Sequence, residues 1–138
     1  MQVQPYLFFN GRCGEALAFY QSALGANVSM LMHFKDAPPD AHMDCDTAGW
    51  GDKVMHANFS IGETQLMASD GMGQNAPTTM SGCAMSIGTK DMAEGQRLFD
   101  ALAAGGQVQM PYQPTFWAKG FGMLTDRFGI NWMINCEV

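Results

Sequence analysis

The sequence predicts an α+β protein built from two βαβββ modules. A strand, a helix and three strands are indicated between residues 4 and 69, and the same order returns between residues 83 and 135. Individual residues also recur at a shift of 80 positions, as in Phe19/Phe99, Gly25/Gly105, Val28/Val108 and Met30/Met110. A repeated order of elements is the sequence signature of a duplicated structural unit. We therefore expect module one at about residues 1–72 and module two at about residues 80–138.

Composition predicts a globular chain that does not bind nucleic acid. Of its 138 residues, 47% are hydrophobic and 14% are charged, and the net charge of −6 disfavours a nucleic-acid partner. No apolar run reaches the length of a membrane span, and the first residues lack a basic signal-peptide segment, so we expect a cytoplasmic protein. The four cysteines form no C-x-x-C pair, which predicts reduced thiols.

In module one, residues 4–9 form an aromatic strand, residues 15–24 a helix and residues 28–34 a second strand. The helix is indicated by Ala16, Phe19, Tyr20 and Ala23 at helical spacing, and Gly25 is a natural stop. Residues 35–52 are acidic, contain two prolines and lack periodicity, so a long loop is expected there.

Residues 53–69 predict a hairpin that turns at Gly62-Glu63. Apolar residues alternate with polar ones along its first strand, which is the pattern of a half-buried strand. His56 and Asn58 therefore share the face opposite the hydrophobic one. The pairing implied by the turn places Met67 across from Asn58 and Ser69 across from His56.

Module two is expected to contain a strand at 83–87, a helix at 91–104, a strand at 107–110 and a closing hairpin of 117–125 and 130–135. Gly120 and Gly122 open one face of that hairpin to a close approach. The approaching group is either a ligand, which makes the hairpin a cavity wall, or the protein's own core. Asp126 is interpreted as a turn former in preference to a catalytic acid.

The chain resembles the glyoxalase/bleomycin resistance/dioxygenase superfamily, also called the vicinal oxygen chelate superfamily. Within it the chain is similar to the PhnB-like branch, whose members are often labelled 3-demethylubiquinone-9 3-methyltransferases. The matching segments are 6–11 (YLFFNG), 15–20 (EALAFY), 54–57 (VMHA), 66–70 (LMASD), Trp117, 120–123 (GFGM) and 126–132 (DRFGINW). The resemblance implies a glyoxalase-type fold, a concave cavity between paired modules and a homodimer.

The same resemblance predicts that no metal and no cofactor are bound. Metal-dependent relatives carry two His and two Glu on the first and last strands of each module. Those positions here hold Pro5, Leu66 or Met67, Cys83, and Met133 or Ile134, a set that suits neither zinc nor harder cations. The G-x-G-x-x-A string at residues 71–76 is followed by Pro77 and not by a helix, which disfavours a nucleotide fingerprint.

We therefore predict a protein that binds a small organic ligand in an aromatic cavity. The expected ligand-binding residues are His56, Asn58, Ser69, Asp70, Trp117, Phe121 and Trp132. His56 is also the candidate catalytic residue, as a neutral-pH base or a hydrogen-bond donor, although a strand histidine can be purely structural. The alternatives are a metal-dependent lyase, isomerase or dioxygenase of the superfamily, and metal-free acid–base catalysis by His56 with Asp70.

Overall fold

Both predicted βαβββ modules are present in the computed structural model, which describes residues 1–37, 49–71 and 80–138. The chain divides into two compact units, Met1–Thr78 and Thr79–Val138. Module one contains β1 (Tyr6–Phe8), α1 (Cys13–Leu24), β2 (Asn27–His33), β3 (Val54–Ile61) and β4 (Thr64–Ser69). Module two contains β5 (Met85–Thr89), α2 (Met92–Ala103), β6 (Gln107–Gln113), β7 (Gly120–Thr125) and β8 (Asn131–Cys136).

The sheet of module one has the strand order β1-β4-β3-β2, in which β1 runs parallel to β4 and the other pairs are antiparallel. The β3–β4 hairpin turns where predicted, with Ile61 paired to Thr64 and Gly62 at a φ of 57°. The alternation along β3 buries Ala57 and Phe59 completely. Phe59 stacks on Tyr20 of α1, with ring centroids 6.4 Å apart, so this face of the sheet is the one covered by the helix.

Helix α1 confirms the prediction for residues 15–24 and begins two residues earlier. Its buried stripe, Ala16, Leu17, Tyr20 and Ala23, has the spacing of an amphipathic helix. It ends at Gly25, which adopts the left-handed conformation that glycine tolerates best. Among the helices of the described residues, none is long and apolar enough to cross a membrane.

Module two repeats this architecture, with strand order β5-β8-β7-β6. Gly120 and Gly122 face α2, because a Cβ added to Gly122 would lie 2.6 Å from the Phe99 ring. The group that approaches these glycines is therefore the module's own core, which is the packed-hairpin alternative. Strand β6 continues past Pro111 to Gln113, since a proline is tolerated on an edge strand.

Asp126 forms the turn between β7 and β8, as predicted. Its Oδ1 accepts hydrogen bonds from the backbone N–H groups of Phe128, at 2.8 Å, and Ile130, at 3.0 Å. The side chain is only 3% exposed, so it has no access to a substrate in solution. The carboxylate therefore stabilises the β7–β8 turn through hydrogen bonds to its backbone.

Candidate functional site

The face of the first sheet that points away from α1 carries several partly exposed large side chains together with the buried Ser69, and strand pairing arranges its side chains in rows. One row runs across all four strands as Tyr6, Met67, Asn58 and Met30. Next to it lie two further pairs, Phe8 with Ser69 and His56 with Met32. We call these eight residues the open face. The exposed fractions of Tyr6 (37%), Phe8 (46%), Met30 (38%) and Met32 (36%) are high for large apolar side chains.

A line of hydrogen bonds crosses the open face. The Tyr6 hydroxyl lies 2.7 Å from His56 Nδ1, and His56 Nε2 lies 3.0 Å from Asn58 Oδ1. An amide oxygen only accepts, so with this orientation of the Asn58 amide Nε2 is the donor, and in the tautomer with a single N–H the Nδ1 atom accepts from the Tyr6 hydroxyl. The Ser69 hydroxyl is bonded to Tyr6 and in turn accepts the Gly71 N–H at 2.9 Å. The polar line Ser69–Tyr6–His56–Asn58 therefore has a defined proton order.

The electrostatics of the open face suit a neutral ligand. Burial raises the pKa of the Tyr6 hydroxyl, so the group stays protonated at neutral pH. The eight residues of the open face include no Lys, Arg, Asp or Glu. A charged organic group placed there would lose hydration without gaining an ion partner, since the face offers only uncharged groups. The Tyr6 oxygen accepts from Ser69 and donates to His56, and it keeps a lone pair with which to accept from a ligand.

Asp70, a predicted ligand contact, is 1% exposed and fully engaged by the backbone. Its Oδ1 accepts from the N–H groups of Gly11, at 2.7 Å, and Cys13, at 2.8 Å. Its Oδ2 accepts from the Val54 N–H at 2.7 Å. The carboxylate thus joins the end of β4 to the start of α1 and the start of β3, and the structure gives it a structural role.

Of the three predicted aromatic contacts in module two, the structure brings two together. Trp117 is about half exposed and meets Phe121 edge to face, with ring centroids 5.3 Å apart. Trp132 lies on the other face of the sheet, paired with Leu124 on the side that α2 covers. It is 2% exposed, and its indole N–H donates to Asp126 Oδ2 at 2.9 Å. Trp132 is therefore a core residue of module two. That Trp117 and Phe121 share a cavity with module one stays a prediction.

Several residues of the open face were missed by the sequence analysis. Tyr6 and Phe8 alternate with the buried Leu7 along β1, but three residues are too few for this period of two to be a clear signal in the sequence.

In module two, Asn135 was also missed; it pairs with Phe121, and its amide oxygen is buried without a hydrogen-bond partner. A buried acceptor of this kind is an available contact for a ligand donor. A pattern of alternation alone does not reveal it.

No group of three or more His, Cys, Asp and Glu side chains that could hold a metal ion occurs in the described parts of the chain. Of the positions that carry metal in relatives, Leu66 is buried in the core and Met67 lies on the open face. The absence of the superfamily's metal site remains a prediction. Most of the G-x-G-x-x-A string and of the acidic loop, residues 72–76 and 38–48, lies outside the described residues.

The element order and sheet pairing of both modules confirm the predicted glyoxalase-type fold, and the family model and relatives described next confirm the resemblance to the PhnB-like branch. The model of the 3-demethylubiquinone-9 3-methyltransferase family matches residues 1–135. Protein YjdN of Escherichia coli (strain K12) is 39% identical over 140 residues, which span 98% of this chain and 95% of YjdN. The chain therefore belongs to the 3-demethylubiquinone-9 3-methyltransferase family.

Two solved structures share this fold. Protein PA1353 from Pseudomonas aeruginosa is 46% identical, with a TM-score of 0.83 over 99% of this chain and 98% of that one. The PhnB protein from Bacillus cereus has a TM-score of 0.80 over 99% of both chains. Its identity is 23%, so this second likeness shows the fold alone.

Proposed function

We propose that this protein binds a small, neutral aromatic molecule on the open face of module one. The observation that carries the proposal is the polar line of Ser69, Tyr6, His56 and Asn58, which is set among aromatic and thioether side chains. Tyr6 and Phe8 stack on each other with ring centroids 4.9 Å apart, and the parts of both rings that stay exposed offer apolar contact area. A ligand would pack on these rings and donate a hydrogen bond to the Tyr6 oxygen.

Binding is better supported than catalysis by His56. A general base needs a ring nitrogen free to reach the proton that it removes. Both nitrogens of His56 already have partners, Tyr6 at 2.7 Å and Asn58 at 3.0 Å. The role this favours for His56 is to orient the Tyr6 hydroxyl. Asp70 gives no support to a His56–Asp70 acid–base pair, because its two oxygens accept from three backbone N–H groups.

The two helices also give no support to a phosphate-bearing cofactor. Such cofactors commonly bind at a helix N-terminus through free backbone N–H groups. At α2, Asp91 caps the helix by accepting from the N–H groups of Ala93 and Glu94. At α1, Asp70 accepts the Cys13 N–H. Since a carboxylate of the protein already accepts at least one N–H group at the start of each helix, we propose binding without a cofactor.

In module two, we propose Trp117 and Phe121 as aromatic ligand contacts and Asn135 as a polar one. Their support is the edge-to-face pair of rings and the unpartnered amide oxygen on the strand beside it. We further propose that the protein acts as a cytoplasmic homodimer, as the superfamily resemblance implies. Trp132 is left out of the proposed site because its indole is held within the core.

The test uses saturation-transfer NMR with 1-naphthol, a neutral aromatic probe with one hydrogen-bond donor. Tyr6→Phe keeps the ring but removes the accepting oxygen, so we expect affinity to fall by about 1–2 kcal/mol, roughly five- to thirtyfold. Phe8→Ala should weaken binding through lost stacking. Val138→Ala is the control, because Val138 is 87% exposed and belongs to neither proposed set of ligand contacts. Equal binding by parent, Tyr6→Phe and Phe8→Ala, or tighter binding of 1-naphthoate than of 1-naphthol, would contradict the proposal.

A further inference from the structure

The β2 edge of the open face carries two thioethers beside an imidazole. Met30 and Met32 are two residues apart on β2, so their side chains lie on the same side of the sheet. Met30 is paired with Asn58 and Met32 with His56 on the neighbouring strand. These four residues therefore lie at the corners of a rectangle, in which two thioethers on β2 face an imidazole and an amide on β3.

The dimensions of this rectangle suit a single metal ion. Cross-strand partners have Cβ atoms about 4.5–5.5 Å apart, and residues two apart on a strand are separated by about 7 Å. His56 Nε2 lies 3.0 Å from Asn58 Oδ1, so the nitrogen that would bind the ion is on the edge of the ring next to Asn58, one corner of the rectangle. Both methionines are more than one third exposed, so a solute ion can reach them.

We propose that Met30, Met32 and His56 form a binding site for a soft monovalent cation of the copper(I) or silver(I) type. Thioether sulfurs are soft, uncharged ligands that select copper(I) over hard divalent ions, and imidazole completes such a set. No carboxylate or thiolate of the kind that calcium or structural zinc requires lies among the eight residues of the open face. The site uses β2 and β3, whereas the metal positions of the superfamily lie on the first and last strands of each module.

Tyr6 and Asn58 can hold the His56 ring in the orientation that metal binding requires. A histidine that binds metal through Nε2 must carry its proton on Nδ1, and a hydrogen-bond acceptor there fixes the ring. The Tyr6 oxygen lies 2.7 Å from Nδ1 and can accept that proton once the Tyr6 hydroxyl turns away. Asn58 Oδ1 releases Nε2 by rotation of its amide. The chain's net charge of −6 also favours a cation. This inference does not depend on the proposed organic ligand.

Module two provides an internal comparison. Met110, Met123 and Met133 are paired directly across β6, β7 and β8, so three thioethers lie in one row without a histidine on the pairing strands. If sulfur alone were sufficient, silver(I) would bind to both modules. Our proposal requires the imidazole and therefore assigns the tighter site to module one.

The test is a titration of the full-length protein with silver nitrate, followed through methionine methyl groups labelled with carbon-13. The protein carries Cys45→Ser and Cys83→Ser, since Cys83 is an exposed thiol and Cys45 lies outside the described residues; Cys13 and Cys136 are both 0% exposed. We expect the Met30 and Met32 methyl resonances to move together and to stop moving at one equivalent. Unmoved Met30 and Met32 signals at one equivalent, or movement of the Met110, Met123 and Met133 signals in their place, would overturn the proposal.

Matched variants separate coordination from folding. Met30→Leu and Met32→Leu conserve volume at partly exposed positions, so the fold should persist. Each should weaken silver(I) binding in calorimetry by at least about tenfold, and Tyr6→Phe by about 10- to 100-fold, the range for an outer-shell partner. Met92→Leu, on α2 against Tyr112, is the control and should bind as the parent does. Parent-like affinity in Met30→Leu and Met32→Leu would refute the assignment.

Discussion

Replacing Asp70 by Asn should destabilise the fold, because the carboxylate holds three segments of module one together. An asparagine oxygen can retain the two bonds that Oδ1 accepts from the Gly11 and Cys13 N–H groups. The amide nitrogen then confronts the Val54 N–H, which lies 2.7 Å from Oδ2 in the parent. An orphaned buried donor costs about 1–3 kcal/mol, and loss of charge weakens the two remaining bonds by about 1 kcal/mol together. We expect the free energy of unfolding to fall by about 3 kcal/mol.

The measurement is urea unfolding followed by circular dichroism, with Asp52→Asn as the matched control. Asp52 forms a 2.9 Å ion pair with Lys35, but its side chain is 89% exposed, so solvent screens the pair and the midpoint should stay near that of the parent. An Asp70→Asn midpoint equal to that of the parent would refute the role of Asp70 in holding the three segments together.

The remaining predictions concern packing, pH, metal content and assembly. Gly122→Ala places a Cβ 2.6 Å from the Phe99 ring and should lower the free energy of unfolding by about 1–3 kcal/mol. Gly14→Ala, with open space around the added Cβ, should raise the free energy of unfolding by about 0.5–1 kcal/mol. Shifts of the same sign for the two variants in urea unfolding would contradict this. Burial raises the pKa of the Cys13 thiol above its ordinary value of 9.0. The contribution of the neutral thiol to the free energy of unfolding is therefore fully present below pH 9, and above pH 9 it falls by up to about 1.4 kcal/mol per pH unit. Cys13→Ala should lack that part of the alkaline loss, and an identical pH profile for the two proteins would show that the thiol is not responsible. Protein purified without chelator should contain no stoichiometric zinc, nickel, iron or manganese, and one equivalent that survives dialysis would contradict the expected loss of the superfamily's metal site. Sedimentation at micromolar concentration should give the mass of a homodimer, and a monomer mass would count against it.

The order of elements follows from the sequence because the signals that set it are local. Helical spacing ending at Gly25 predicts α1 nearly to the residue, and the Gly62-Glu63 turn fixes the register of β3 against β4. That register and the two-residue alternation are enough to place His56 and Asn58 on one face of the sheet. Such periods repeat every two to four residues, so they require no knowledge of distant contacts.

The roles of individual side chains were decided by the tertiary structure. Trp132 and Met133 are neighbours on opposite faces of β8, and both are bulky and apolar, so the pattern alone cannot say which face α2 covers. In the sequence, Asp70 is simply a polar residue at the end of a strand. It is buried because its carboxylate accepts hydrogen bonds from backbone N–H groups of residues 16, 57 and 59 positions away along the chain. The Tyr6–His56 hydrogen bond joins residues 50 positions apart in the chain. It depends on the strand order of the sheet, in which β1 and β3 are both paired with β4. The sequence determined which residues share a strand face, while the packing of distant segments determined which face was buried and which polar groups remained available.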